Sequence, residues 1–308
     1  GFIFGFGLLA GAGIGFGYAS ATPPAVKWFP AARTGLIAGI VVSGFGLASV
    51  YVAPLVKTLI RVYSLSTTLI VLGVGFLIIV VGLAQFLRPP PVGYVPAGSA
   101  PRAGTPAPVA DYNPIEMLRT WQFYVLWFMY ACGAGAGLMI ISKLSKMADV
   151  QAGVSLGFVL VAILAVGNGA GRIVAGMLSD TIGRKATLII FYVIQAAAIF
   201  LLSQADHGNA LGSSLVLGLL SALIGASYGA NLALFPSITK DFYGIRNFGV
   251  NYGLVFTAWG LGGFTLSLLA GQVYDQTQTF TFAYYCSATL LVVAALMTLF
   301  LRPVRPQA

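Results

Sequence analysis

Nine runs of apolar residues, each long enough to cross a bilayer as a helix, occupy this chain almost from end to end. They fall at 1–25, 34–60, 66–87, 117–141, 152–178, 186–204, 211–236, 248–272 and 280–301. A hydrocarbon core about 30 Å thick needs ~20 apolar residues per helix. A lone strand there would leave backbone groups without partners, so a run of this kind crosses as a helix. The pattern predicts an all-α polytopic membrane protein. Composition excludes the soluble alternative: only 7% of the residues are charged and 58% are hydrophobic, against about 25% charged in a soluble domain.

The net charge of +9 is not a nucleic-acid signal, because Lys and Arg collect in short loops, where they set topology. Cys132 and Cys286 both fall in apolar runs, which leaves no disulfide framework and no metal-ligand spacing. No cofactor is implied. The single histidine, His207, stands beside Asp206 in a loop and reads as solvated.

One polar insert, 88–116, divides the runs into three before and six after. Rich in Pro, Gly, Ala and Ser without a periodic apolar face, it reads as a flexible linker. Asn113, Pro114 and Glu116 supply an N-cap, a proline at N1 and an acid at N3, and are expected to start the next spanning helix. Trp121, Tyr124 and Trp127 follow, as at a headgroup boundary. In the first run, dense glycines predict close helix contact. Tyr18 requires a hydrogen-bond partner at depth, and Pro23 and Pro24 are expected to end or kink the helix before Lys27. The chain begins inside an apolar run and holds an odd number of spans, which suggests a piece of a longer protein.

Arg172 is the charge at membrane depth. A guanidinium there costs roughly 2.5–3.5 kcal/mol on insertion scales. It is tolerated either as a structural group bonded to carbonyls of neighbouring helices or as an anion site in a water-filled cavity. No intramembrane carboxylate is available to pair with it, which favours the anion site. Asn168 lies one turn earlier on the same face, among Gly167, Gly169 and Gly171.

The run containing Arg172 ends in a loop with the pattern G-x-x-x-D-x-x-G-R-K, formed by Gly176, Asp180, Gly183, Arg184 and Lys185. The glycines permit a tight turn and close packing, and Asp180 is suited to a helix N-terminus and to Arg184. This loop resembles the cytoplasmic motif that major facilitator superfamily transporters carry between helices two and three and between helices eight and nine. The resemblance implies two six-helix bundles and a gating role, holding one conformation shut, for these five residues.

An internal repeat supports the resemblance: residues 15–49 parallel 225–263, matching Tyr18 to Tyr228, Gly39 to Gly253 and Phe45 to Trp259. On that register, residues 1–87 are the remainder of an N-terminal bundle (family helices four to six, with one to three absent). Residues 88–116 are the linker and 117–308 the C-terminal bundle. With the linker cytoplasmic, alternation puts Lys27, Arg33, Arg88, Arg102, Arg119, Arg184, Lys185, Lys240, Arg246, Arg302 and Arg305 on that side, and Lys57, Arg61, Lys143 and Lys146 outside. This asymmetry orients the chain with linker and C-terminus cytoplasmic, as in a bacterial inner (plasma) membrane.

Shorter runs resemble one branch, the oxalate/formate antiporters and related monocarboxylate transporters. They are Lys27-Trp28-Phe29-Pro30, Glu116 to Thr120 with Gln122-Phe123, Ala233 to Pro236, and Arg246-Asn247 with Asn251-Tyr252-Gly253. In that branch the helix-eight arginine, here Arg172, grips a substrate carboxylate, and tyrosines matching Tyr18 and Tyr228 line the cavity. Two departures stand out. Trp259 replaces the helix-eleven lysine of oxalate carriers, and Asn168 replaces the aspartate of animal proton-coupled members.

The expected function is secondary transport of small monocarboxylates such as lactate, pyruvate or formate, by proton symport or anion exchange. Arg172, Asn168, Tyr18, Tyr228 and Asn231 would bind the carboxylate, and Phe256 and Trp259 would form an apolar wall. Its partners would then be a small carboxylate, the lipid bilayer and, in symport, protons. Alternatives are an oxalate/formate-type dicarboxylate exchanger and a non-transporting sensor or remnant. A membrane-embedded enzyme would need a nucleophile, metal cluster or paired acids at depth, and the chain offers Arg172 as its only charged residue there.

Overall fold

The computed structural model describes residues 1, 3–91, 93–96, 111–153 and 157–304. Among them are nine helices long and apolar enough to cross a membrane, and no strand. A π-helical stretch, Ile3–Ala10, leads into α1 (Gly11–Lys27). There follow α2 (Thr34–Val62), α3 (Leu65–Ala84), the short α4 (Pro114–Leu118), α5 (Trp121–Ala152), α6 (Gly157–Ile182), α7 (Arg184–Ser203), α8 (Ser214–Tyr243), α9 (Phe248–Thr277) and α10 (Thr281–Phe300). Each apolar run has its helix. Arg102 and Arg305 lie outside the described residues.

Local chemistry moved several boundaries. The capping box of Asn113 and Glu116 is present, but it starts the five-residue α4 rather than the span, which restarts at Trp121. α5 then runs past Lys143, Lys146 and Asp149 to Ala152, where Gly153 at φ +60° ends it. Lys146 is accommodated there by placing its ammonium 3.8 Å from the Tyr274 ring centroid. Pro23 and Pro24 do not end α1, which continues through both to Lys27. The glycines of the first run are not used for packing within this chain. A Cβ on Gly5, Gly7, Gly11, Gly13, Gly15 or Gly17 would meet nothing within 4 Å.

Where glycine is used for packing is the seam between α2 and α6. A Cβ on Gly39 would run into the Arg172 carbonyl, and one on Gly176 into that of Gly35, so the two antiparallel backbones nearly touch. α6 is held from its other side by α8, where Gly229 faces Asn168. α5 packs along α9, α7 lies against α8 and α10, α1 touches α2 and α9, and α3 rests on α2. Close approach of small residues is the available glue where lipid tails are as apolar as any core. The seam places Arg172 and the α6–α7 loop against α2.

Candidate functional site

Arg172 is 2% exposed. Its Nε donates to Asn168 Oδ1 at 3.0 Å and its Nη1 to the carbonyl of Val42 on α2. The carbonyl is reachable because Gly39 and Gly46 bring α2 against the arginine. Among the described residues no carboxylate pairs with Arg172, and Nη2 donates to no protein acceptor. The guanidinium therefore rests on neutral acceptors from its own helix and from α2.

Beside it is an aromatic cluster built from α1, α2, α5, α8 and α9. Phe256 is its hub, stacked on Tyr18 (4.8 Å between centroids) and on Trp259 (5.3 Å). Tyr18 donates to the Leu232 carbonyl at 3.2 Å, which answers the requirement of a buried phenol. Trp259 Nε1 donates to the Tyr228 hydroxyl at 2.9 Å. Tyr18 meets Phe45 edge-on at 5.8 Å, whereas the matched residues Tyr228 and Trp259 meet through a hydrogen bond. The hydroxyls of Tyr18, Tyr130 and Tyr228 lie within electrostatic reach of Arg172.

Tyr18, Tyr228, Phe256 and Trp259 thus come together, with Arg172 and Asn168 alongside. Asn231 does not join them. Its amide lies against Gly133 of α5, and its Nδ2 donates back to the Ser227 carbonyl. Tyr228 and Asn231 share the face of α8 turned to α5, Tyr228 against Gly137 and Asn231 one turn further along against Gly133. Sequence reasoning missed Tyr130 and Tyr252, whose hydroxyls are 3.4 Å apart within the cluster. Both are phenols within apolar runs and, like Tyr18, need a hydrogen-bond partner there.

The loop after α6 forms a second cluster. Asp180 accepts the N–H groups of Gly35 (2.9 Å) and Leu36 (2.8 Å) at the start of α2. Arg184 donates to Asp180 (2.6 Å), to Ser179 (2.6 Å) and to Asp241 of α8 (2.9 Å). Beside them Lys240 donates to Thr34 at 2.5 Å. Gly183 turns the chain at φ +91°, a region that side-chain-bearing residues rarely adopt, and Gly176 admits the backbone of Gly35. Lys185 points elsewhere, to the Leu299 carbonyl in the last turn of α10. Asp241, Lys240 and Thr34 were not anticipated, because no local motif contains them.

The sequence profile of the Major Facilitator Superfamily matches residues 1–203 and again 147–308. The chain belongs to the major facilitator superfamily. It is accordingly a multi-pass integral membrane protein of a transporter family. Among similar proteins, the oxalate:formate antiporter of Oxalobacter formigenes is 30% identical over 81% of this chain and 57% of the antiporter. Human monocarboxylate transporter 14 is 27% identical over 46% of this chain and 27% of its own length. The crystal structure of the Escherichia coli fucose:proton symporter superposes with a TM-score of 0.63 at 15% identity, covering 92% of this chain and 72% of the symporter. The facilitator chain described here therefore spans little more than half of the antiporter's length.

Proposed function

We propose that the protein is a secondary transporter of small monocarboxylates such as lactate, pyruvate or formate, by proton symport or anion exchange, with Arg172 as substrate anchor. The observation that carries this reading is the state of the guanidinium. It is buried, has no carboxylate, and rests on the neutral acceptors Val42 and Asn168. A substrate carboxylate is the stronger acceptor, since charge-assisted bonds are roughly twice as strong as neutral ones. The planar fork also suits two parallel bonds to one carboxylate. Binding would release Val42, so that substrate capture and loosening of the α2–α6 seam become one event. Tyr18, Tyr228 and Asn168 would complete the polar lining, with Phe256 and Trp259 as the apolar wall. The names of two relatives, an oxalate:formate antiporter and a monocarboxylate transporter, agree with a carboxylate cargo.

In this reading residues 1–87 and 117–308 belong to two bundles that rock about the seam, with 88–116 as the cytoplasmic linker. Gly176, Asp180, Gly183 and Arg184, joined by Asp241 and Lys240, shut the cytoplasmic end, while Lys185 ties α7 to α10. The test is uptake of labelled lactate by the full-length protein in vesicles. Arg172→Lys should lower it about a hundredfold, the equivalent of ~2.7 kcal/mol, with expression intact, because an ammonium cannot reproduce the fork. Wild-type uptake by that variant would make Arg172 a structural residue.

A further inference from the structure

The residues that end the linker form a strap over the tips of α8 and α9. Asp111 Oδ1 accepts two backbone N–H groups from the turn between these helices, those of Ile245 (2.9 Å) and Arg246 (3.0 Å). Tyr112 N–H donates to the Tyr243 carbonyl at 3.0 Å. The Tyr112 carbonyl accepts from the side-chain amides of Asn247 (3.1 Å) and Asn251 (3.0 Å). The Tyr112 ring lies edge-on against Tyr243, whose hydroxyl meets Thr120 at 2.9 Å just before α5 begins. Gly244, at φ +80°, leaves the space that Asp111 fills, for a Cβ there would collide with the carboxylate.

The last turn of α8, which this strap holds, also carries Lys240 and Asp241. Those two side chains reach the other elements of the gate, Lys240 to Thr34 at the start of α2 and Asp241 to Arg184 at the start of α7. Asp111 touches none of these groups. It accepts from residues four and five positions beyond Asp241, and so sets where the end of α8 stands relative to α4 and α5.

We infer that Asp111 is a positioning residue for the gate: through the α8–α9 turn it presents Asp241 to Arg184 and Lys240 to Thr34, and thereby favours the cytoplasm-closed state. The strap ties α8 and α9 to α4 and α5, all on one side of the seam. It stays intact when the seam opens, whereas the contacts to Thr34, Gly35 and Leu36 break. The linker is then part of the closing mechanism as well as a tether. This inference rests on the gate proposed above.

The test uses the full-length protein in nanodiscs, with Cys132 and Cys286 replaced by alanine and spin labels on Ala32→Cys and Thr181→Cys across the gate. Pulsed electron resonance reads the short (closed) and long (open) distances. Arg184→Ala and Asp111→Ala should both enlarge the long-distance population, the latter shifting the equilibrium about tenfold, or ~1.4 kcal/mol. Asp111→Asn, which keeps one acceptor oxygen, should shift it less. A wild-type distance distribution in Asp111→Ala, alongside a shifted one in Arg184→Ala, overturns the inference and leaves the gate standing. No shift in Arg184→Ala overturns the gate and the inference with it. Should Asp111→Ala fail to fold, Asn247→Ala removes one strap bond, and an unchanged distribution there is equally decisive against it.

Discussion

Asp180, near the end of α6, caps α2 by accepting the N–H of Gly35 at 2.9 Å, across a sequence separation of 145 residues. The first turn of a helix leaves backbone donors unpaired. Those of α2 are met by a side chain from another helix instead of a local Ser, Thr or Asn: Arg33 holds the N-cap position and makes no capping bond. The same carboxylate receives Leu36 N–H and Arg184, and Arg184 continues to Asp241. One acid thereby joins α2, α7 and, through Arg184, α8.

Asp180→Ala should open the cytoplasmic end. It strands two N–H donors and leaves Arg184 with one carboxylate. A lost cap is worth ~1 kcal/mol and a lost charged bond about as much again. Together, roughly 2 kcal/mol would favour the open state about thirtyfold. A cysteine at Thr22, buried in the closed form, reports this as faster thiol labelling from the cytoplasmic side. An unchanged labelling rate would remove Asp180 from the gate.

The repeat partners Gly39 and Gly253 should respond in opposite directions to alanine. At Gly39 the new methyl meets the Arg172 carbonyl, and neither backbone can yield without parting the seam. Overpacking of that kind costs about 1–3 kcal/mol. At Gly253 nothing lies within 4 Å, so alanine brings only its better helix propensity, worth up to about 1 kcal/mol. Thermal unfolding of this chain in detergent should show Gly39→Ala lowered by several degrees and Gly253→Ala equal to or above wild type. Equal lowering of both would contradict the seam geometry.

Charge selectivity should follow from Trp259, which donates to the Tyr228 hydroxyl within the cluster and brings no second positive charge. One fixed guanidinium neutralises one carboxylate. A second, desolvated carboxylate would go unpaired at a cost of several kcal/mol, and even about 2.7 kcal/mol is a hundredfold preference. In competition assays on the full-length protein, lactate should displace labelled lactate and oxalate should not. Trp259→Lys should weaken that discrimination. If oxalate competes as well as lactate before the substitution, another group supplies the second charge and the monocarboxylate reading fails.

The amino-acid sequence by itself determined the nine spans, because a bilayer converts length and hydropathy directly into helices whose backbone bonds are internal. It also exposed Arg172, since a lone cation in an apolar run stands out. It yielded half of the charged cluster at the end of α6 as well, because Gly176, Asp180, Gly183 and Arg184 are spaced within a single loop. The correspondence of Tyr18 with Tyr228 and of Phe45 with Trp259 was legible as a repeat, but not that each tyrosine meets its aromatic neighbour. Only the tertiary structure decided which way side chains face. In spans apolar on every side, with lipid as apolar as the interior, no hydrophobic face marks the inner one. Asn231 therefore read like a site residue and yet packs against Gly133 of α5, while Tyr130 and Tyr252 join the cluster unannounced. Likewise Asp241 meets Arg184 across 57 residues and Asp111 meets Ile245 across 134. Such pairings depend on where helix ends stand in space, which the packing of glycine against backbone along the α2–α6 seam and the strap over α8 and α9 set together.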